Sequence, residues 1–232
     1  MTSPRIGRAA LASAWKARII VARILITSGP TRQYLDPVRY LTNASSGRMG
    51  AALAQAALEA GHDVEIVSGP VEVPYPAAAR VTPVVSTEEM LEVCQRIFPA
   101  CDGMIGVAAP SDYRPVRVEP HKISKTGQPL DVRLIETDDV VATLGAAKQG
   151  QWLVGFALET EDRRLRALAK IEKKHCDLMV LNGPEAMNSL DNSVEIIDRA
   201  GEPLCAFSGR KEDVARCIFA VIEERLIRPT RT

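Results

Sequence analysis

The stretch Asn43-Ala-Ser45-Ser46-Gly47-Arg48-Met-Gly50 places small polar residues directly ahead of a run rich in Ala and Leu. If that run is a helix, the backbone N–H groups at 44–47 converge on an anion, with the positive end of the helix dipole behind them. Gly47 and Gly50 let the backbone come close to a ligand or to neighbouring structure. A capped helix with glycines kept for packing uses the same physics, so spacing alone leaves both readings open. The stretch is neither a Walker loop nor a dinucleotide fingerprint: it lacks GxxxxGK[ST], and no GxGxxG directly follows a strand.

Three further groups carry potential chemistry. Asp112 follows the apolar run 103–109 within Ala108-Ala-Pro-Ser-Asp112-Tyr-Arg114. There it can accept from a ribose or a base, carry a bound magnesium ion, or simply hold a turn. Lys122 lies in a proline-punctuated arm, where a lysine is a solvated charge unless the arm folds over a bound phosphate. Lys170 and Lys174 are four apart and share a helix face, which costs a few tenths of a kcal/mol unless an anion sits between them. Both also fall in a last helical turn, where cations suit the dipole without any ligand.

These residues have to be positioned by a regular scaffold, and the chain encodes one. Ile24–Thr27 reads as a β-branched strand followed by a long turn-rich stretch to about Asn43. A helix over Ser46–Ala60 is closed by Gly61 at C′, and a second strand covers Asp63–Val67. Pro70–Pro83 contains four prolines and holds at most a short strand near Val81. Ser86-Thr-Glu-Glu89 is a capping box opening a helix through Phe98. A buried strand over Gly103–Ala109 leads into the polar arm Pro110–Pro129, read as a mobile lid. Then come a helix near Asp138–Lys148, a strand over Leu153–Ala157, a helix over Glu161–Lys174 and a strand over Leu178–Asn182. Val194–Asp198 and Leu204–Phe207 form an antiparallel hairpin, and Ser208 is expected to cap a final helix. The alternation predicts an α/β fold: a Rossmann-like parallel sheet with helices on both faces, plus a C-terminal antiparallel hairpin and final helix. Such sheets bind ligands beyond the carboxyl ends of their strands, where the residues above fall.

Composition removes several function classes. The 232 residues suit one domain, at 1–22 preceded by a basic, Ala-rich extension and at 23–228 folded. That extension is either loosely held or the product of an upstream start. Lys+Arg and Asp+Glu are both 29, so no global field draws nucleic acid or an acidic membrane. No segment approaches the ~20 apolar residues of a membrane span. The five cysteines contain no CxxC pair and the three histidines no HxH or HExxH, arguing against a disulfide framework or a protein-held metal, and for a reducing, cytoplasmic compartment.

Laid side by side, the loops resemble those of phosphopantothenoylcysteine synthetases, the ligase part of the bifunctional coenzyme A biosynthesis flavoproteins. The matching stretches are Ile26-Thr-Ser-Gly-Pro-Thr-Arg32, Leu35-Asp-Pro-Val-Arg-Tyr40, Asn43–Gly50, Val67-Ser-Gly-Pro70, Ala108–Arg114, Lys122-Ile123, Gly155-Phe-Ala157 with Glu159-Thr160, Lys170/Lys174 and Asp191-Asn192. They run in family order from about residue 23 to 227. The resemblance implies a two-step reaction: the carboxylate of 4′-phosphopantothenate attacks the α-phosphate of CTP, and L-cysteine then displaces CMP from the acyl-cytidylate. It implies that Asn43 holds the acyl intermediate and that Lys122 is a lid lysine. It assigns Gly106, Val107, Ala108, Asp112, Phe156, Lys170 and Lys174 to the nucleotide, and Gly29, Ser45, Ser46 and Gly47 to phosphate or substrate. Mg²⁺ arrives on the nucleotide's phosphates, and ATP is the alternative nucleotide. The chain departs from the family at Thr137-Asp-Asp-Val140, where an Asn-Pro-Asp-Ile-like segment is usual, and at Arg48, where Lys is common. A homodimer with the lid or hairpin exchanged, and a flavin decarboxylase on a separate protein, are also implied.

Two other readings compete. A doubly wound NAD(P)-dependent oxidoreductase would use the glycines at 47–50, against which stand the long loop before them and the lack of a Tyr-x-x-x-Lys couple. A nucleotide-binding relative without catalysis would keep the same loops, against which stand the intact Asn43 and Lys122.

Overall fold

The computed structural model describes residues 20–158, 163–182 and 191–228; the expected N-terminal extension, Glu159-Thr160 and the start of the fourth helix therefore fall wholly or mostly outside the described residues. In chain order the elements are β1 (Arg23–Ser28), β2 (Arg32–Asp36), β3 (Arg39–Thr42), α1 (Arg48–Glu59), β4 (Asp63–Ser68), β5 (Arg80–Pro83), α2 (Thr87–Ile97) and β6 (Gly103–Gly106). They continue as β7 (Tyr113–Pro115), β8 (Leu134–Glu136), α3 (Val140–Ala147), β9 (Trp152–Leu158), α4 (Arg163–Lys174), β10 (Leu178–Asn182), β11 (Asp191–Asp198), β12 (Pro203–Arg210) and α5 (Lys211–Ile222).

Eight strands form one sheet in the order β12-β11-β10-β9-β6-β1-β4-β5. Pairing is parallel from β5 through β10, and antiparallel where β11 joins β10 and β12 joins β11. Period-two alternation sends Ile24 and Ile26 to one face and Leu25 to the other. The first face packs on α1 and α5 through Leu53, Ala54, Val214 and Ile218. The second packs on α2, α3 and α4 through Met90, Leu144 and Ile171. Each fully buried Ile, Leu or Met contributes about 1.5–3 kcal/mol relative to exposure, so the sheet is clamped between two apolar layers. Cys94, Cys101 and Cys176 belong to the second layer, and burial pushes the Cys94 and Cys176 thiols up to about 12.

The helix ends follow the sequence signals. Ser86 Oγ accepts from Glu89 N at 3.1 Å, while the Glu89 carboxylate reaches back to Val85 N at 2.6 Å. Gly61 closes α1, its N–H bonding Leu58 O while that of His62 bonds Ala57 O.

Four expectations need correction. The turn-rich stretch before Asn43 is a hairpin, β2–β3, whose tight turn is made by Asp36 Oδ1 accepting from Val38 N and Arg39 N at 2.9 Å each. Its strands are short and irregularly buried, so they lack the alternation that reveals strands. The strand expected to run to Ala109 stops at Gly106. Beyond it the chain crosses to the β1 loop, where Ala109 N donates to Gly29 O at 2.9 Å and Pro30 and Ala109 make an isolated parallel bridge. The C-terminal hairpin is longer than expected at its open end. Ser208 therefore lies inside β12, donating to Ser193 Oγ at 2.8 Å, and Arg210 takes the N-cap position of α5 with no side-chain cap.

Candidate active site

The strand order reverses at β1. From β1 the chain proceeds through β4 to β5 on one side, then returns to lay β6 on the other. The carboxyl ends of β1 and β6 thus form a topological switch point, the crevice where open α/β sheets place their ligands. Gly29, Gly106, Val107 and Ala108 stand at this point, and Ala108 N donates to Thr27 Oγ1 at 3.4 Å.

Asn43 is fixed across the crevice. Its Nδ2 donates to Pro110 O at 2.8 Å and Ala109 O at 3.2 Å, joining the loop after β3 to the loop after β6. The amide nitrogen thus has both hydrogens committed to carbonyls, the bond to Ala109 O being the longer and weaker of the two. Beneath it lies a buried hydroxyl network. Thr31 Oγ1 meets Thr87 Oγ1 at 2.8 Å and accepts from Ser111 N at 2.8 Å, while Thr87 Oγ1 and Thr137 Oγ1 donate to Ser111 O at 3.1 and 2.7 Å. Such a satisfied network holds three loops in one arrangement. Serines and threonines in loops carry too little positional signal for sequence to have found it.

The turn Ser45–Gly47 precedes α1 as expected. Ser45 N donates to Asn43 O at 2.9 Å, and Gly47 adopts φ 74°, a left-handed conformation that favours glycine. Gly50 allows α1 to sit against β1: a Cβ there would lie 2.1 Å from Ser28 Oγ. α1 has no side-chain cap and no acid in its first turn, whereas Ser86 and Asp139 cap α2 and α3. Its first N–H groups are thus left for an external acceptor.

The arm begins in the β7–β8 ribbon and is tied to the β2–β3 hairpin. Asp36 Oδ2 accepts from Ile123 N at 3.0 Å, Arg39 donates to Ile123 O at 2.5 Å, and Glu119 N bonds Leu35 O at 2.9 Å. Burial pushes the Asp36 carboxyl up, but the N–H groups of Ile123, Val38 and Arg39 and the Arg39 guanidinium outweigh it and hold it below the usual carboxylate range. Lys122 is exposed, and the backbone of the residue beside it is held by this clamp. The Asp-Pro-Val-Arg turn was visible as a motif, but its role depends on a contact 87 positions away.

Asp112 and Phe156 follow or end strands β6 and β9, whereas Lys170 and Lys174 close α4, which runs back toward the amino end of β10. Asp112 is exposed, and its carbonyl accepts from Thr137 N at 2.9 Å. Phe156 near the end of β9 is half-buried against the first-face core. Lys174 Nζ lies 3.0 Å from Asp139 Oδ2, so the α3 cap supplies this lysine with an anion from within the chain. Lys170 is half-buried on the same helix face. Burial pushes the Asp139 carboxyl up, but the Ala142 N–H and Lys174 prevail and lower it. The departure at Thr137–Val140 is thus accommodated: Asp139 Oδ1 accepts from Ala142 N at 3.0 Å and starts the helix. Among the described residues no three His, Cys, Asp or Glu side chains gather as a metal site, and no helix is long and apolar enough to cross a membrane. A hollow of about 120 Å³ lies off the switch point, between α2 and Asp138.

Residues 20–226 match the family model described as DNA/pantothenate metabolism flavoprotein C-terminal domain. The chain belongs to this family. It is 36% identical over 215 residues to the coenzyme A biosynthesis bifunctional protein CoaBC of Vibrio cholerae, which covers 90% of this chain and 54% of that protein. To the Bacillus subtilis protein of the same name it is 42% identical over 164 residues, 70% of this chain and 40% of that one. The chain spans about half the length of the curated relatives it matches. Among solved structures, the crystal structure of the C-terminal domain of a CoaBC protein matches with a TM-score of 0.76 and 36% identity over 88% of this chain and 96% of that one. A Cab2 variant complexed with phosphopantothenate-cysteine shares the fold, with a TM-score of 0.66 and 17% identity over 86% of this chain and 85% of that one. The long hairpin-containing loop between β1 and α1 is unlike the tight turn of a dinucleotide fingerprint, which weakens the oxidoreductase reading.

Proposed function

We propose that this domain is a phosphopantothenate–cysteine ligase. In the first step a carboxylate oxygen of 4′-phosphopantothenate attacks the α-phosphate of CTP, and the bond to pyrophosphate breaks. In the second the amine of L-cysteine attacks the acyl carbon, CMP leaves with the former carboxylate oxygen, and the amine loses a proton as the amide forms. The observation that carries this reading is Asn43 held by two hydrogen bonds across the β1/β6 switch point.

The carry-over of roles fits that placement. On this reading Gly106, Val107, Ala108, Asp112 and Phe156 contact the nucleotide, and the tips of Lys170 and Lys174 reach it from α4 past the α3 cap. The uncapped start of α1, with Gly29 and Ser45–Gly47 beside it, takes phosphate. Asn43 acts on the acyl group: releasing its longer bond to Ala109 frees an N–H for the oxyanion that develops there. With 110–129 acting as a lid hinged beside the Ile123 clamp, Lys122 neutralises charge on the triphosphate. Mg²⁺ accompanies the nucleotide and shields its phosphate charge. Exposed apolar side chains on the arm (Val116, Val118) and on the segment that leads from it to β8 (Leu130, Val132) support a homodimer in which this region meets a second copy.

The protein is mixed with CTP, Mg²⁺, 4′-phosphopantothenate and cysteine, and pyrophosphate is measured. Release that requires the acid is the expected result. Pyrophosphate released without the acid, or none at all, sinks the ligase reading, and hydride transfer to NAD(P) would install its rival. Competing CTP with ATP in a single turnover assigns the nucleotide.

A further inference from the structure

We infer that Lys211, with Arg48, completes a phosphate-binding site at the N-terminus of α1. This rests on the ligase reading for its substrates, though not for its geometry. β12 runs parallel to β1 and β10, so its end delivers Lys211, the first residue of α5, to the same end of the sheet as the start of α1. The two helices lie side by side on one face.

Lys211 is 9% exposed and makes no hydrogen bond or ion pair among the described residues. A buried cation in a folded chain is ordinarily paired, as Lys148 is with Asp177 and Lys174 with Asp139. Its Nζ is not among the sealed, unpartnered side-chain nitrogens of the described residues (Arg23 Nε, Arg39 Nε and His62 Nε2), so its tip still reaches solvent. The charges around it make the omission sharper. Burial, followed by the nearby Arg48 guanidinium, pulls its pKa down, and only Glu212 opposes them. Glu212 is already turned to Arg210 at 3.6 Å, and Asp213 to Arg216 at 3.3 Å.

A largely buried lysine whose ammonium tip reaches solvent, a nearby guanidinium and an uncapped helix N-terminus thus share one end of the sheet without an acceptor among the described residues. The missing partner is an anion with several oxygens, a phosphate group, which both the acid and the nucleotide carry.

Steady-state pyrophosphate release is measured for Lys211→Met and Lys211→Arg, varying 4′-phosphopantothenate and CTP separately and repeating with pantothenate, which lacks the phosphate. A charged hydrogen bond of about 1.5–3 kcal/mol predicts that Lys211→Met raises one KM by roughly 10- to 150-fold, with Lys211→Arg recovering most of it. A rise confined to 4′-phosphopantothenate assigns the site to the acid's phosphate. A rise for CTP with either acid assigns it to the nucleotide. KM unchanged for both overturns the site. Arg48→Gln, at an exposed position with no folding risk, should raise the same KM by a smaller factor. Thermal shift with inorganic pyrophosphate and 4′-phosphopantothenate separates the site from the reaction. Because Lys211→Met removes an unpaired buried charge, its melting temperature should equal or exceed that of the wild type, while the ligand-induced shift is lost. A wild type that is shifted through Lys211 yet releases no pyrophosphate keeps the site and ends the ligase reading. Turnover with equal shifts in both proteins does the reverse.

Discussion

Replacing Asn43 by Asp tests whether the switch-point amide acts in catalysis or merely ties two loops together. The change removes both hydrogen bonds, to Pro110 O at 2.8 Å and Ala109 O at 3.2 Å, and turns a carboxylate toward two carbonyl oxygens. Each neutral bond contributes about 0.5–1.5 kcal/mol net, and at an exposed position the lower half applies, so the structural loss is about 1–2 kcal/mol. Because the side chain is exposed, the carboxylate can turn to water, and Asn43→Ala should cost about as much. For a domain of this size that is roughly 2–8 °C in melting temperature. Loss of a positioned oxyanion donor costs far more in rate, about 10²- to 10³-fold. The assay follows pyrophosphate release and amide formation separately, with thermal melting alongside. Amide formation should fall by that factor in both variants while the fold persists. Turnover within about threefold of wild type would remove Asn43 from the chemistry. A drop in melting temperature well beyond the stated range, with activity falling in proportion, would make it a structural tie.

Further outcomes follow from single contacts. Lys122→Gln should slow acyl-nucleotide formation about tenfold or more while changing stability by no more than about 0.5 kcal/mol, since the side chain is exposed; rapid-quench measurement of the first step checks it, and an unchanged rate contradicts the lid role. Gly50→Ala gains about 1 kcal/mol of helix propensity but forces a methyl to 2.1 Å from Ser28 Oγ, a clash that overpacking places at about 1–3 kcal/mol; denaturant melts should show net destabilisation, with a raised KM as α1 is pushed off β1. His62 is buried, its Nδ1 accepting from Ala22 N at 3.1 Å, and burial lowers its pKa despite Glu223 nearby. The unfolded chain then binds a proton that the folded chain resists, so stability falls as pH drops below about 6.5 and levels off below the folded value. Urea midpoints for wild type and His62→Gln should converge on acidification, and parallel curves would refute the assignment.

Much of the scaffold was legible because its signals are local. Strand β1, the Ser86 cap, Gly61 at C′ and the alternation that makes a mostly parallel sheet all lie within windows of a few residues, where periodicity and capping chemistry act. The placement of Asn43 and Ser45–Gly47 in the connection between β1 and α1 followed from the same alternation. What sequence alone did not decide depends on partners far along the chain. The β2–β3 hairpin is too short and unevenly buried to reveal itself, and its Asp36–Arg39 turn acquires a role only by gripping Ile123. Lys174 reads as a ligand cation until the fold sets Asp139 beside it, and Lys211 reads as an ordinary first-turn residue until β12 carries it to the start of α1. Backbone preference and hydrophobic period are properties of neighbouring residues, so the chain determined its elements by itself. Whether a charge is satisfied depends on which distant group the packed sheet brings within reach, and only the tertiary structure decided that.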